Sequence, residues 1–153
     1  MTTGLFIGRF QPFHNGHLHV IKQILKECDK IIIGIGSANS EITEQNPLTS
    51  TKRKELIEQV LQSENITNYR IVLINDQETH QLWADEVRKK ANPFDTMYVS
   101  GDNVRLDFIK SCGFEVKEVD FLDGISATKI RELKKNGQPW QQFVPPIVAK
   151  DFS

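Results

Sequence analysis

The chain has 153 residues, with 19 Lys and Arg against 20 Asp and Glu and a formal net charge of −1. That length suits a single domain over 1–153 with a full core, and the balanced charge leaves no basic footprint for nucleic acid. No apolar run is long enough to span a membrane, and the glycine-interrupted opening does not read as a signal peptide. Cys28 and Cys112 fall late in two helical patterns. They read as buried free thiols of a reducing, cytoplasmic compartment, not as a disulfide or metal framework.

Leu5-Phe6-Ile7 is an apolar run that ends at Gly8 and reads as a buried strand. A loop with Arg9, Gln11, His14 and His17 follows. A helical pattern then begins at Leu18, with Leu18, Ile21, Leu25 and Cys28 on one face. Ile31 to Gly36 is continuously apolar, as in a parallel strand buried on both faces, and strand, helix, strand at this spacing is a right-handed crossover. Ser37 to Leu48 is a polar loop of a length that is often functional. A helix is predicted over 50–62, capped by Thr49 or Ser50, with Leu56, Ile57, Val60 and Leu61 inward. Arg53 lies in its first turn, against the helix dipole. It is either a solvated side chain or one that reaches a ligand.

Arg70 to Ile74 reads as the third strand, followed by a polar loop from Asn75 to Thr79. The next helix carries Leu82, Trp83 and Val87 and stops before Asn92-Pro93. Thr96 to Val99 is the fourth strand, ending at Ser100-Gly101-Asp102. Val104, Phe108 and Cys112 mark a helix closed by Gly113. Phe114, Val116 and Val119 sit among charges, so the fifth strand is predicted at or near an edge. After a loop over 120–124, Ile125 to Arg131 opens a helix. Trp140, Phe143, Ile147 and Val148, around Pro145-Pro146, read as a short terminal helix packed on the body.

Five strands alternating with helices imply a Rossmann-like, doubly wound parallel sheet with helices on both faces. Ligands bind such sheets beyond the carboxyl ends of the strands. The polar clusters fall there: the 8–17 loop, Ser37-Ala38-Asn39, Asn75-Asp76, Ser100-Gly101-Asp102 and the 125–131 turn. A strand, a glycine-bearing loop and a helix N-terminus make an anion site, and Arg9 with two imidazole donors suits a polyphosphate. Ser126, Thr128 and Arg131 on the first turn of a helix form either a second anion site or an ordinary cap. Trp83 is either a core residue or a ring that stacks on a base.

His14-Asn15-Gly16-His17 is the His-x-Gly-His signature of the nucleotidyltransferase superfamily. The longer run from Gly8 through Arg9, Phe10, Gln11, Pro12 and Phe13 to His17 resembles the nicotinamide-nucleotide adenylyltransferases, especially the short archaeal type. Ile125-Ser126-Ala127-Thr128-x-x-Arg131 resembles the superfamily's second signature. Asn46-Pro47-Leu48-Thr49-x-x-x-Arg53 is similar to a family segment whose arginine contacts bound phosphate.

The resemblance implies transfer of AMP from ATP to nicotinamide mononucleotide by direct in-line attack on the α-phosphorus, giving NAD and pyrophosphate. It implies catalytic roles for His14, His17 and Arg131, with His17 at the α-phosphoryl group and His14 at the leaving pyrophosphate. Gly8, Arg9, Phe10, Gln11, Gly16, Arg53, Ser126 and Thr128 then surround the nucleotide, and Gly101 and Asp102 serve its ribose. Trp83 faces the nicotinamide ring. The family carries Asn three residues before that Trp, where this chain has His80. Mg²⁺ is expected on the phosphates with no named protein ligand, and a homo-oligomer is expected by the same resemblance. Rival readings are another adenylyl- or cytidylyltransferase, such as the pantetheine-phosphate type, or a nucleotide-sensing module without turnover.

Overall fold

The computed structural model describes residues 1–100, 106–120 and 124–153. Its strands are β1 (Thr3–Gly8), β2 (Lys30–Ile35), β3 (Tyr69–Leu73), β4 (Thr96–Ser100) and β5 (Val116–Val119). They form one parallel sheet in the order β3-β2-β1-β4-β5. The helices are α1 (Asn15–Glu27), α2 (Ser50–Ser63), α3 (His80–Ala91), α4 (Leu106–Ser111), α5 (Ala127–Lys135) and α6 (Pro146–Phe152), with a 3-10 turn at Gln141–Phe143.

Alternation along each strand sends side chains to two apolar layers. On one face Phe6, Ile31, Ile33, Ile35 and Tyr98 pack against residues of α1, α2, α5 and α6, among them Ile21, Ile24, Ile57, Ile130 and Val148. On the other, Leu5, Ile32, Met97 and Val99 meet Trp83, Ala84 and Val87 of α3 and Ile109 of α4. Gly4 lets α1 approach β1 closely: a Cβ there would lie 2.8 Å from Ile24 Cγ2 and 2.9 Å from Tyr98 Cε2.

From β1 the chain winds outward through β2 to β3, then crosses to β4 on the other side of β1. This reversal opens a crevice at the carboxyl ends of β1 and β4, where ligands of such sheets bind. Gly8, Ile35 and Leu73 are in register, so β1, β2 and β3 end level. The Gly36 N–H then donates to the Gly8 carbonyl at 2.8 Å, carrying the pairing one residue beyond β2.

Two expectations need adjusting. The first helix begins at Asn15 and not at Leu18, because His14 caps it and brings Gly16 and His17 into its first turn. Cys28 is buried but Cys112 is only partly so. The fifth strand is an edge strand, as its charges predicted, and the opposite edge is β3. The predicted helix start at Val104 lies outside the described residues.

Candidate active site

The loop after β1 is organised by its two histidines. His14 is extended (φ −135°, ψ 176°), and its Nδ1 accepts from the backbone N–H groups of Gly16 at 3.0 Å and His17 at 3.3 Å. His17 Nδ1 accepts in turn from the His14 N–H at 3.0 Å. This is a capping box made of two imidazoles, satisfying three backbone donors that a helix start leaves without partners. Because each Nδ1 accepts, each ring carries its proton on Nε2, the nitrogen that can donate to an anion. The rings stack with centroids 3.6 Å apart, and Phe10 and Phe13 pack on His17 with centroids at 4.6 and 5.4 Å.

Burial pulls the His14 pKa down to about 4. Burial, and then the neighbouring His14, holds that of His17 well below the ordinary imidazole value. Both rings are therefore neutral at physiological pH. The charge at this site comes from guanidinium groups, which remain protonated.

Three arginines converge on the loop. Arg9 is exposed, and its Nη1 reaches Asn46 Oδ1 at 3.4 Å. Arg131 donates from Nη1 to the Gln11 carbonyl at 2.8 Å and from Nη2 to Thr128 Oγ1 at 3.3 Å. The second signature is thereby docked on the first across 120 residues of chain. Arg53 is 1 % exposed and donates to four carbonyls: Arg9 at 2.9 Å, Gly36 at 2.8 Å, Ser37 at 3.1 Å and Thr49 at 3.3 Å. Burial and the charge of Arg9 lower the pKa of Arg53, and the same causes act on Arg131. Among the described residues no ion pair joins any of the three to a carboxylate.

Several groups expected to touch a nucleotide have partners inside the protein. Four of the five Arg53 N–H bonds are directed at carbonyls, so this side chain ties the loops after β1 and β2 together at the place where the sequence suggested a phosphate contact. The Gln11 amide is 1 % exposed and pairs both ways with the Leu48 peptide, its Nε2 donating to the carbonyl and its Oε1 accepting from the N–H, each at 2.9 Å. Phe10 sends its ring into the core at φ +54° and Gly16 gives its N–H to the cap. A Cβ on Gly8 would lie 3.1 Å from the Phe10 ring, so the strand end and that ring fit closely.

Ser126 caps α5, its Oγ accepting from the Lys129 N–H at 3.1 Å. Beside Thr128 and Arg131 opens a groove of about 420 Å³, walled by Glu44, Pro47, Lys134 and Lys135. Lys135 bridges to Glu44 at 2.9 Å. At the ends of β2 and β3, Ser37 Oγ donates to Asp76 Oδ1 at 2.9 Å, and the Asp76 N–H donates to Asn39 Oδ1 at 2.8 Å. His80 is exposed on the first turn of α3, its ring 4.9 Å from that of Phe108. Trp83 is 6 % exposed and belongs to the apolar layer between α3 and the sheet, so its bulk is core packing. Gly101 and Asp102 lie outside the described residues. The sequence reading did not single out Leu48 and Thr49 as partners of this loop; the polar side chains opposite them, Gln11 and Arg53, were the available signal.

Residues 5–133 match the model of the cytidylyltransferase-like family. A nicotinamide-nucleotide adenylyltransferase of Picrophilus torridus is 39 % identical over 94 % of this chain and 86 % of its own length. One of Thermoplasma volcanium is 42 % identical over 93 % and 81 %. The chain belongs to the nicotinamide-nucleotide adenylyltransferases. Among solved structures, a bifunctional NMN adenylyltransferase/ADP ribose pyrophosphatase from Francisella tularensis superposes with a TM-score of 0.83 at 31 % identity. It covers 94 % of this chain, which spans 44 % of that longer protein. The same Francisella protein has been solved with AMP and a manganese ion. The turn capped by two imidazoles and the cationic loop lie together at the crevice beyond the carboxyl end of β1. No helix among the described residues is long and apolar enough to cross a membrane.

Proposed function

We propose that the protein transfers AMP from ATP to nicotinamide mononucleotide, forming NAD and releasing pyrophosphate. The observation that carries the reading is the convergence of Arg9, Arg131 and two imidazole-bearing residues at one strand end, with the N-termini of α1 and α5. Such a site holds a chain of phosphates by fixed donors that need no rearrangement during reaction.

An oxygen of the mononucleotide phosphate attacks the α-phosphorus of ATP. The new P–O bond forms as the bond from the α-phosphorus to the bridging oxygen of the β-phosphate breaks, and the electron pair leaves with pyrophosphate. A phosphate monoester is already anionic near neutral pH, so the step needs no general base. Catalysis is positioning and neutralisation of charge in the transition state. The Nε2–H of His17 serves the α-phosphoryl oxygens and that of His14 the leaving pyrophosphate. Arg131, with Ser126 and Thr128, takes the far oxygens. Arg9 and the backbone at Gly8, Phe10, Gln11 and Gly16 line the near side, and Gly101 and Asp102 serve the ribose. His80 and the accessible edge of Trp83 meet the pyridine ring of the acceptor.

The site offers donors and cations, and no cluster of His, Cys, Asp or Glu that could hold a metal occurs among the described residues. Mg²⁺ would accompany ATP and would supply neutralisation of phosphate charge. The protein acts in the cytoplasm as a homo-oligomer. Purified protein assayed with Mg²⁺-ATP and a panel of phosphate acceptors tests the reading. Pyrophosphate release with nicotinamide mononucleotide, and at most traces with phosphopantetheine, is expected. A preference for phosphopantetheine, or ATP binding without turnover, would refute it.

A further inference from the structure

Arg53 is buried, charged and unpaired with any carboxylate among the described residues, an expensive arrangement that packing alone does not require. Its four acceptors are not scattered. The Arg9 and Gly36 carbonyls immediately precede Phe10 and Ser37, two non-glycine residues held at φ +54° and +49°. Backbone in that region persists only where its surroundings over-determine it. The Ser37 and Thr49 carbonyls sit at the two ends of the long loop after β2. Asn46, which receives the Arg9 guanidinium, lies on that loop. Arg53 thus fixes the root of Arg9 through its carbonyl and fixes both ends of the loop that steers its head. Gln11 adds a second tie between the same two segments through Leu48.

We infer that Arg53 is a positioning residue for the nucleotide phosphates, acting through Arg9 and not by touching the phosphates itself. The inference rests on the reading of Arg9 as a phosphate contact. A lysine keeps the charge, but its three donors radiate from one atom and cannot reproduce a planar fork that reaches four carbonyls in two segments. Misplacing a contacting group by about 1 Å is enough to cost about a hundredfold in rate.

The test is a double-mutant cycle read as kcat/KM for ATP, with every variant assayed well below its own melting temperature. Arg53→Lys is expected to lower kcat/KM about ten- to a hundredfold in the native background. In an Arg9→Ala background the same change is expected to cost less than about threefold, because the group through which Arg53 acts is gone. Asn46→Ala, a change on a partly exposed loop, supplies a second cycle with Arg9→Ala that does not disturb the buried cation, and the same non-additivity is expected. Equal losses in both backgrounds would make Arg53 a direct phosphate ligand and overturn the proposal. A lower melting temperature with unchanged kinetics would make Arg53 structural only, and also overturns it. An Arg9→Ala variant with native ATP kinetics would instead remove the phosphate-contact reading on which the proposal stands.

Discussion

Acid should weaken this protein through the two capped imidazoles. In the unfolded chain a histidine titrates near pH 6.5, while in the folded protein His14 resists protonation until about pH 4 and burial holds His17 well below its ordinary value. Between those values the unfolded state binds protons that the folded state refuses. Stability is therefore intact above pH 6.5 and is lost as the pH falls towards 4. For His14 alone the loss is about 1.4 kcal/mol by about pH 5.5 and about 2.5 kcal/mol by about pH 4.5. His17 acts in the same direction. The geometry makes the penalty hard to escape: a protonated Nδ1 could no longer accept the Gly16 and His17 N–H groups, and the charge would lie against the stacked partner ring. Urea unfolding at a series of pH values measures the slope. His14→Asn is the informative control, because Asn is a strong N-cap that does not titrate. It should flatten much of the slope while costing little stability at about pH 7.5. Stability that stays constant from about pH 7.5 to 4.5, or an equal slope in His14→Asn, would refute the reasoning.

Arg131→Ala should raise the ATP Michaelis constant by about tenfold or more, and Arg131→Lys should rescue it poorly because a point charge cannot bond both Gln11 and a phosphate; calorimetry with ATP shows it directly. Gln11→Ala strands both polar groups of the Leu48 peptide and should cost about 1–3 kcal/mol in urea, with ATP affinity falling as the loop loosens. Trp83→Ala should cost about 3–5 kcal/mol because the indole is mostly core. Trp83→Phe keeps a flat ring, and if the remaining edge stacks on the acceptor its Michaelis constant for nicotinamide mononucleotide should shift while that for ATP holds; equal shifts in both would assign Trp83 to packing alone.

The sheet was legible because its cause is local. Apolar runs such as Ile31–Ile35 and the spacing of helical faces dictate buried parallel strands and crossovers, and the parallel sheet then places the loops after β1, β2 and β3 at one end. The two signatures were legible as types and as spacing. Which atoms they use was not. His14 looks in sequence like a free imidazole ahead of a helix that starts at Leu18, and only the fold shows that its Nδ1 is the cap that starts the helix at Asn15. Arg53 was expected at the nucleotide for its place in the first turn of a helix and the likeness of its segment to the family's, and Gln11 for its place in the first motif. Their partners are carbonyls and a peptide 16 to 44 residues away in sequence, a distance over which no periodicity carries information. Trp83 was ambiguous for the same reason, since helical spacing places it on a face without saying how deep that face lies.

The division of labour between rings and guanidiniums explains how such a site can be buried and still present both aimed donors and positive charge. Imidazoles sunk among Phe10 and Phe13 could not carry charge without a large desolvation cost, and they do not. They contribute direction: two Nε2–H donors whose orientation is fixed because each Nδ1 is occupied by a backbone N–H. Charge is supplied by arginines, which stay protonated when partly buried and whose forks match phosphate oxygens. In the free protein those cations lie close to one another, Arg9 lowering the pKa of both Arg53 and Arg131, with no carboxylate in an ion pair with them among the described residues. The donors meanwhile remain neutral and aimed, which is the condition for stabilising charge that develops only in the transition state.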